Sequence, residues 1–352
     1  MAVDDSVAVV GSTGYDSCGT NSGAAFVYVK SQDETWALEA TLQPTDCQED
    51  HFFGKTVAIS STHILVTSFR SAFNQHVSNG VYVFERQEQG WIQTARFSDP
   101  DRGAFGTFGS AVALEENRFV VTAAGVGSGR NTGGAGYLFE RNVDGVWSQT
   151  HRITNESLRF NGVFGTSCDI DGNRIAISSS SYIPGRPGIV SIFDLNEENQ
   201  TWDLTQSIPQ VEAFFMPLDL DGDRLLVGES KAGKNQSGRA RLFEFDGQKW
   251  SATATLLPQI PYKSGAFGSL VSLDGSTILV VGFDEQLELS FNVDRVVYVF
   301  EKTEKGWHQR SILDVGSPFF GTALSFSSST TLIGQASENE PGAVYSVRFN
   351  RP

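Results

Sequence analysis

Six tryptophans, spaced at intervals of roughly fifty residues, constrain this chain more than any other feature of its sequence. Each is followed six residues later by a large apolar residue. The pairs are Trp36 with Leu42, Trp91 with Phe97, Trp147 with Ile153, Trp202 with Ile208, Trp250 with Leu256 and Trp307 with Leu313. Because side chains alternate along a β-strand, the even spacing predicts that both residues of a pair lie on one face of a strand. The chain is therefore predicted to consist of internal β-repeats.

A second marker is Phe-Gly at the start of an apolar strand. It opens FGKTVAI at Phe53, FGSAVAL at Phe108, FGTSCDI at Phe164, FGSLVSL at Phe267 and FGTALSF at Phe320, with a degenerate FMPLDL at Phe215. A second apolar strand follows a short turn, and Asp-Gly pairs at Asp171, Asp221 and Asp274 predict type I′ turns. A third strand, as in NGVYVFER and GAGYLFER, alternates aromatic and other residues, and the tryptophan strand is the fourth.

Repeated units of four strands predict an all-β fold, a seven-bladed β-propeller of four-stranded antiparallel blades. A ring hides the sheet edges that an open row of sheets would expose. We predict a single domain over residues 1–352, with blade repeats beginning near residues 1, 53, 108, 164, 215, 267 and 320. Residues 1–10 overlay residues 112–121 position for position, and the last repeat stops before a tryptophan strand. The chain is therefore expected to be a segment of a longer protein.

The order of Phe-Gly strand, apolar strand, Gly-led aromatic strand and tryptophan strand resembles the FG-GAP repeat of integrin α-type propellers. The resemblance covers essentially the whole chain, although the Gly-Ala-Pro half of the motif is nearly erased, with VTSF and VTAA among its replacements. It implies a protein that binds its partners on one rim of the propeller. It also implies calcium as the ion to consider, in the turn between the first two strands of a blade.

The chain is acidic, with a formal net charge of −15 and a pI near 4.7. A nucleic-acid-binding protein needs a basic face toward the phosphates, so nucleic acid is not expected as a partner. No apolar run reaches the 18 or so residues of a membrane span, which argues against direct membrane insertion. A signal peptide would lie upstream of Met1, so an extracellular or cell-surface location is an expectation that rests on the resemblance.

Two aspartate-rich turns carry the hard oxygen ligands that calcium prefers. The first holds Asp169 and Asp171, and the second holds Asp219, Asp221 and Asp223. In both, glycine follows the second acidic position, whereas the calcium loop of the resembled family has it after the third. The turns are too short to wrap an ion, so we expect no metal and no cofactor, with calcium as the alternative. The five histidines are scattered and no nucleophile motif occurs, so no catalytic residue is predicted.

The loops between strands two and three, and those between strand four and the next repeat, leave the sheets on the same side. We call this surface the long-loop rim. It carries aromatic and charged residues of the kinds enriched at interfaces, although some of them could instead fold back as packing. The ligand candidates on it are Tyr15, Phe69, Arg70, Phe73, Tyr182, Arg186, Tyr262, Lys263, Phe283 and Asp284.

Three cysteines and three sequons bear on compartment and modification. Cys18 and Cys47 fall in adjoining loops of the long-loop rim, where a disulfide and a pair of free thiols are both open. Cys168 lies in an inner strand and is predicted to be a buried free thiol. Candidate N-glycosylation sites are Asn155, Asn199 and Asn235.

These observations favour a non-catalytic extracellular or cell-surface scaffold for recognition or assembly. It would bind protein or glycan through the long-loop rim. Fold alone does not fix function, so two alternatives stay open. One is a polysaccharide-acting enzyme with its site at the central channel, and the other is a structural subunit of an extracellular filament or shell.

Overall fold

A computed structural model describes residues 1–68, 79–101, 107–124, 133–158, 162–181, 187–209, 216–283, 295–317, 319–327, 330–336 and 342–349. Regular structure in these ranges is almost entirely β-strand, with two short 3₁₀ helices at Glu156–Leu158 and Lys234–Gln236. Within these ranges, no helix is long and apolar enough to cross a membrane. Residues 1–170 and 171–352 form two compact units, which are described in turn.

The first unit contains three complete sheets. Blade 1 consists of β1 (Ala2–Asp4), β2 (Val7–Ser12), β3 (Ala24–Lys30) and β4 (Trp36–Leu42). Blade 2 consists of β5 (Phe53–Ile59), β6 (His63–Ser68), β7 (Gly80–Gln87) and β8 (Gly90–Ser98). Blade 3 consists of β9 (Phe108–Leu114), β10 (Arg118–Ala123), β11 (Ala135–Arg141) and β12 (Trp147–Ile153). In each sheet the strands pair in chain order, each antiparallel to the next.

The remaining sheets follow the same order. Blade 4 consists of β13 (Gly162–Asp171), β14 (Arg174–Ser181), β15 (Ile189–Asn196) and β16 (Thr201–Pro209). Blade 5 consists of β17 (Leu218–Asp221), β18 (Arg224–Glu229), β19 (Arg239–Phe245) and β20 (Trp250–Leu256). Blade 6 consists of β21 (Val271–Asp274), β22 (Thr277–Phe283), β23 (Arg295–Thr303) and β24 (Gly306–Leu313). In blade 7 the described residues form three strands, β25 (Phe320–Ser327), β26 (Thr330–Gln335) and β27 (Ala343–Val347).

The prediction of an all-β, seven-bladed β-propeller is confirmed. The predicted overlay of residues 1–10 on residues 112–121 also holds at the level of register. Ala2 pairs with Val9 just as Ala113 pairs with Val120. Strand bounds differ most in blade 6, where the strand predicted from Phe267 begins at Val271.

The Phe-Gly motif is explained by its backbone. Phe53 is fully buried, and Gly54 has φ +92°, in the left-handed region that only glycine adopts at little cost. A Cβ atom on Gly54 would lie 2.4 Å from the backbone oxygen of Ala24. Glycine is therefore required here both by conformation and by close backbone approach.

The core of each unit lies between successive sheets. One cluster joins Val27 of blade 1 to Phe84 and Trp91 of blade 2. Another joins Leu256 of blade 5 to Phe300 of blade 6, with Trp307 packed against it. Each sheet is thus buried on the face it presents to the next blade, which is why both faces of the inner strands are apolar.

The prediction that each tryptophan shares a strand face with the residue six positions later is wrong. Trp307 packs toward blade 5, whereas Leu313 packs toward blade 7. The cause is a register shift between the third and fourth strands, which recurs at the same point of the first six blades. One extra residue in the fourth strand reverses the faces of everything after it. Each fourth strand therefore supplies side chains to two different cores.

The predicted type I′ turns at the Asp-Gly pairs are also wrong. Asp221 pairs with Arg224, so the loop between them has two residues. Of these, only Gly222 has a positive φ, +59°, whereas a type I′ turn requires it at both positions. A positive φ at the first loop position alone is the pattern of a type II′ turn, which suits a hairpin equally well.

Candidate functional site on the long-loop rim

A disulfide joins the two rim loops of blade 1. Cys18, in the loop after β2, is bonded to Cys47, in the loop after β4, with their Cα atoms 6.0 Å apart. The same loops are joined by backbone hydrogen bonds, Asp50 N to Thr20 O at 2.8 Å among them. The predicted disulfide is confirmed, and it makes the two loops one covalently braced surface.

A side-chain cluster around Tyr82 lies next to this brace. The Tyr82 hydroxyl donates to Asp46 at 3.3 Å and accepts from Arg96 Nε at 3.2 Å, and it lies 3.0 Å from His51 Nε2. Arg96 and Asp46 also form an ion pair at 3.0 Å. Tyr82 and His51 are both fully buried, and burial raises the pKa of the Tyr82 hydroxyl. A neutral phenol near the start of β7 thus holds the last rim loop of blade 1 against blade 2.

The same arrangement recurs one blade further on. The Tyr137 hydroxyl and Arg152 Nε each donate to one oxygen of Asp101, both at 2.9 Å. Tyr137 is cross-strand partner to Arg152 as Tyr82 is to Arg96. Burial, and then the hydrogen bond to Asp101, raises the pKa of Tyr137.

Sequence reasoning missed both tyrosine clusters. A signal was present, since Arg96 and Arg152 each stand five residues after the tryptophan of their repeat. Alignment of the third and fourth strands would have paired each arginine with a tyrosine. The aspartates come from the preceding repeat, and no pattern within one repeat marks them.

In blade 5 the rim end of β18 carries a fully buried carboxylate, Glu229. It forms ion pairs with Arg239 and, at 2.8 Å, with Arg241. The Arg241 guanidinium also lies over the ring of Phe243, 5.1 Å from its centroid. A buried carboxylate is tolerated because both oxygens face guanidinium groups, which balance the charge locally.

The rim loops of blade 5 are joined without a disulfide. Ser264 N donates to Asn235 O at 2.9 Å, and Phe283 N donates to Gly265 O at 2.7 Å. These bonds bring the predicted rim residues Tyr262, Lys263 and Phe283 into one loop cluster. Lys263 is exposed and Tyr262 is half-buried.

Comparison with known proteins is consistent with this repeat structure. Residues 36–84, from the tryptophan strand of blade 1 through most of the third strand of blade 2, match the family model of the FG-GAP repeat. This β-propeller thus contains an FG-GAP repeat. A search of the curated proteins found no match to the sequence.

Two solved structures resemble the FG-GAP propeller over nearly all of its length. One is a protein from Lactobacillus plantarum, at TM-score 0.53 and 11% identity, covering 97% of this chain and 95% of that one. The other is a candidate 6-phosphogluconolactonase from Bacteroides fragilis, at TM-score 0.59 and 11% identity, covering 99% and 96%. At this identity the likeness shows the fold alone.

Only some of the rim residues predicted for the FG-GAP propeller can be placed. Tyr15 is 43% exposed, and its ring packs edge-on against Phe26 with centroids 5.3 Å apart. Phe283 is half-buried under the guanidinium of Arg295, 5.7 Å from the ring centroid. The predicted residues outside the described ranges are Phe69, Arg70, Phe73, Tyr182, Arg186 and Asp284.

The aspartates considered as calcium ligands make contacts within the protein. Asp171 accepts from the backbone N–H of Gly222, and Asp221 accepts from that of Gly275 at 3.3 Å. Each Asp-Gly turn is thus bonded to the same turn of the next blade. Among the described residues, no group of three or more His, Cys, Asp or Glu side chains could hold a metal ion.

The other three aspartates are likewise engaged. Asp219 accepts from Ser272 Oγ and Leu273 N of blade 6, both at 2.9 Å. Asp223 pairs with Arg174 at 3.0 Å, and Asp169 accepts from the N–H of Ile170 at 2.9 Å. Four of these five aspartates, Asp171, Asp219, Asp221 and Asp223, therefore join neighbouring blades.

The remaining predicted sites divide by exposure. Cys168 is a buried free cysteine, as predicted, and burial raises the pKa of its thiol. The side chain of Asn155 is also buried, and its Oδ1 accepts from Ser157 N at 3.1 Å. Asn199 and Asn235 are exposed, so of the three candidate glycosylation sites these two present the side chain to solvent.

Proposed function

We propose that this FG-GAP propeller is a non-catalytic scaffold for recognition or assembly that binds protein or glycan through its long-loop rim. The observation that carries the proposal is the preorganisation of the rim. A disulfide and the two tyrosine–arginine–aspartate clusters hold loops that would otherwise pay a large entropic penalty on binding. Loops fixed before the partner arrives are what an adhesive surface needs, whereas a purely structural piece does not require them.

Exposed apolar side chains on the rim loops of the second unit add to this support. Leu257 and Ile260, in the loop after β20, are 52% and 64% exposed, and Val315 and Phe319, in the loop after β24, are 42% and 38% exposed. Large apolar residues that are exposed on loops are typical of contact surfaces. A disulfide of this kind persists in oxidising compartments, which favours an extracellular or cell-surface location.

The test is capture of partners by the whole chain, immobilised and exposed to a glycan array and to the secreted and surface proteins of its source. Tyr15→Ala and Ile260→Ser should each reduce capture. Val143→Ser is the matched control, since Val143 is fully exposed in the turn between β11 and β12, on the opposite rim. Equal losses in all three variants would refute the rim as the binding surface. Turnover on a panel of polysaccharides would instead favour the enzymatic alternative.

A further inference from the structure

A groove of about 390 Å³ opens between the fourth strands of blades 5 and 6. Its volume falls in the range of about 300–1,000 Å³ that is usual for small-molecule sites. Phe300 and Trp307 form the aromatic part of its lining, and Leu256 and Leu257 add aliphatic surface. Thr255, Gln259, His308 and Gln309 contribute hydroxyl, amide and imidazole groups.

Trp307 differs from the tryptophans of blades 2 and 5 in what covers it. In blade 2, Trp91 is 8% exposed, because two charged side chains cover it. The Arg86 guanidinium lies 5.6 Å from the centroid of the indole ring, and the indole Nε1 of Trp91 donates to Glu39 at 3.0 Å. In blade 5, Trp250 is 4% exposed beneath Arg174, which lies 4.9 Å away.

In blade 6 neither cover is in place. Lys302 occupies the position of Arg86 but pairs with Glu244 at 3.5 Å, and Thr253 stands where blade 1 has Glu39. Trp307 is accordingly only half-buried, and it lines the open groove. The tryptophan face that blades 2 and 5 cover with charged side chains borders the groove here.

The glutamine two residues after the tryptophan shows a parallel difference. In blade 2, Gln93 accepts from Thr45 N at 2.9 Å and donates from Nε2 to Thr45 Oγ1 at 3.2 Å. In blade 6, Gln309 accepts from Gln259 N at 3.0 Å, but Gln259 has no hydroxyl to receive the second bond. Among the described residues, the Nε2 amide group of Gln309 therefore has no acceptor, and its N–H groups are available to a ligand in the groove.

The chemistry of the groove selects for an uncharged ligand with many hydroxyl groups. None of the eight lining residues is Asp, Glu, Lys or Arg, so the groove offers no carboxylate, ammonium or guanidinium group to an ionic ligand. A sugar ring presents an apolar C–H face that packs on an indole, and its hydroxyls both donate and accept, as amide and threonine groups do. We propose that this groove is a binding site for a neutral saccharide, with one sugar ring against Trp307 and hydroxyl groups bonded by Gln309, Gln259 and Thr255.

The experiment is calorimetric titration of the whole chain with neutral tetrasaccharides of glucose, mannose, galactose and N-acetylglucosamine. At least one should bind saturably, and Trp307→Ala and Gln309→Ala should each weaken that binding about tenfold or more. Gln93→Ala is the matched control, because it removes the same bond to a loop N–H in blade 2. It should lower stability at least as much as Gln309→Ala, because Gln93 also donates to Thr45 Oγ1, and it should leave saccharide binding unchanged.

The proposal is overturned if none of the four saccharides binds, or if binding survives both groove substitutions. If Trp307→Ala does not fold, Trp307→Phe is measured in its place. If neither variant of Trp307 folds, the effect of Gln309→Ala on saccharide binding decides whether the groove is the site. The groove shares the loop after β20 with the rim, so Ile260→Ser does not separate the two proposals. Tyr15→Ala, in the first unit, tests the rim without touching the groove, so either proposal can fail while the other stands.

Discussion

Asp219 makes the stability of this propeller depend on pH in a direction opposite to that of most carboxylates. Its pKa is raised from 3.8 to about 6, chiefly by burial and also by the charges of Asp221 and Asp274, which together outweigh the hydrogen bonds from Leu273 and Ser272 that lower it. A carboxyl group whose pKa is higher in the folded state binds its proton more tightly there. The free energy of unfolding therefore falls as pH rises from 3.8 to about 6 and is level above that, as far as this group is concerned.

Asp219→Asn isolates this effect, because an asparagine oxygen can still accept both hydrogen bonds while carrying no charge. A difference of about two pH units corresponds to about 3 kcal/mol. Since Asp219 keeps part of its surface in solvent, we expect the variant to be more stable at pH 7 by about 1.5–3 kcal/mol. The two proteins should converge in stability near pH 4.

The assay is urea denaturation of both proteins from pH 4 to pH 8. Asp144→Asn is the control, because Asp144 lies exposed in a turn of blade 3 and its substitution should leave the pH profile unchanged. The reasoning is refuted if Asp219→Asn keeps the pH slope of the wild type, or if it is the less stable protein at pH 7.

Three further predictions concern the brace, the repeat motif and modification. Replacing Cys18 and Cys47 by serine opens a loop of 29 residues and should lower the free energy of unfolding, measured by urea denaturation, by about 3–4 kcal/mol. A loss below about 1 kcal/mol would mean that the backbone hydrogen bonds between the two loops hold them together without the disulfide. Gly54→Ala should cost more than about 3 kcal/mol, seen as a lowered thermal midpoint, because its φ and its close backbone neighbour both exclude a Cβ. Mass spectrometry of protein secreted from eukaryotic cells should find glycan on Asn199 and none on Asn155, and the reverse would contradict the burial of Asn155.

The sequence predicts the repeat well because the repeat is local. Phe53 and Gly54 are adjacent, and the strand they open is followed within a few residues by its hairpin partner. Each such unit repeats, so a signal that is weak once becomes strong when it recurs in blade after blade. The disulfide between Cys18 and Cys47 was within reach for the same reason, since both loops belong to one blade.

The contacts between blades were beyond the sequence pattern. Asp171 and Gly222 are about fifty residues apart, and their hydrogen bond exists only once two hairpins lie side by side. The bulge in the fourth strands could not be predicted for another reason. Trp307 and Leu313 are an even number of residues apart, as in a regular strand, but the bulged residue between them places Leu313 on the opposite face. In both cases composition and spacing are compatible with two geometries, and packing between sheets selects one.

Positions that are the same in successive repeats reflect packing, whereas positions that differ between repeats can reflect binding. The buried phenylalanine and its left-handed glycine recur in blades 2, 3, 4, 6 and 7, and the fourth-strand bulge recurs in blades 1 to 6, because these blades solve the same packing problem. The rim does not recur in this way: a tyrosine–arginine pair stands at Tyr82 and Arg96, whereas the equivalent residues of blade 5 are Arg241 and Thr255. Since the fold accepts either, these positions are free to specify a ligand. Binding is therefore to be sought where one blade departs from its neighbours, as the rim and the groove beside Trp307 both do.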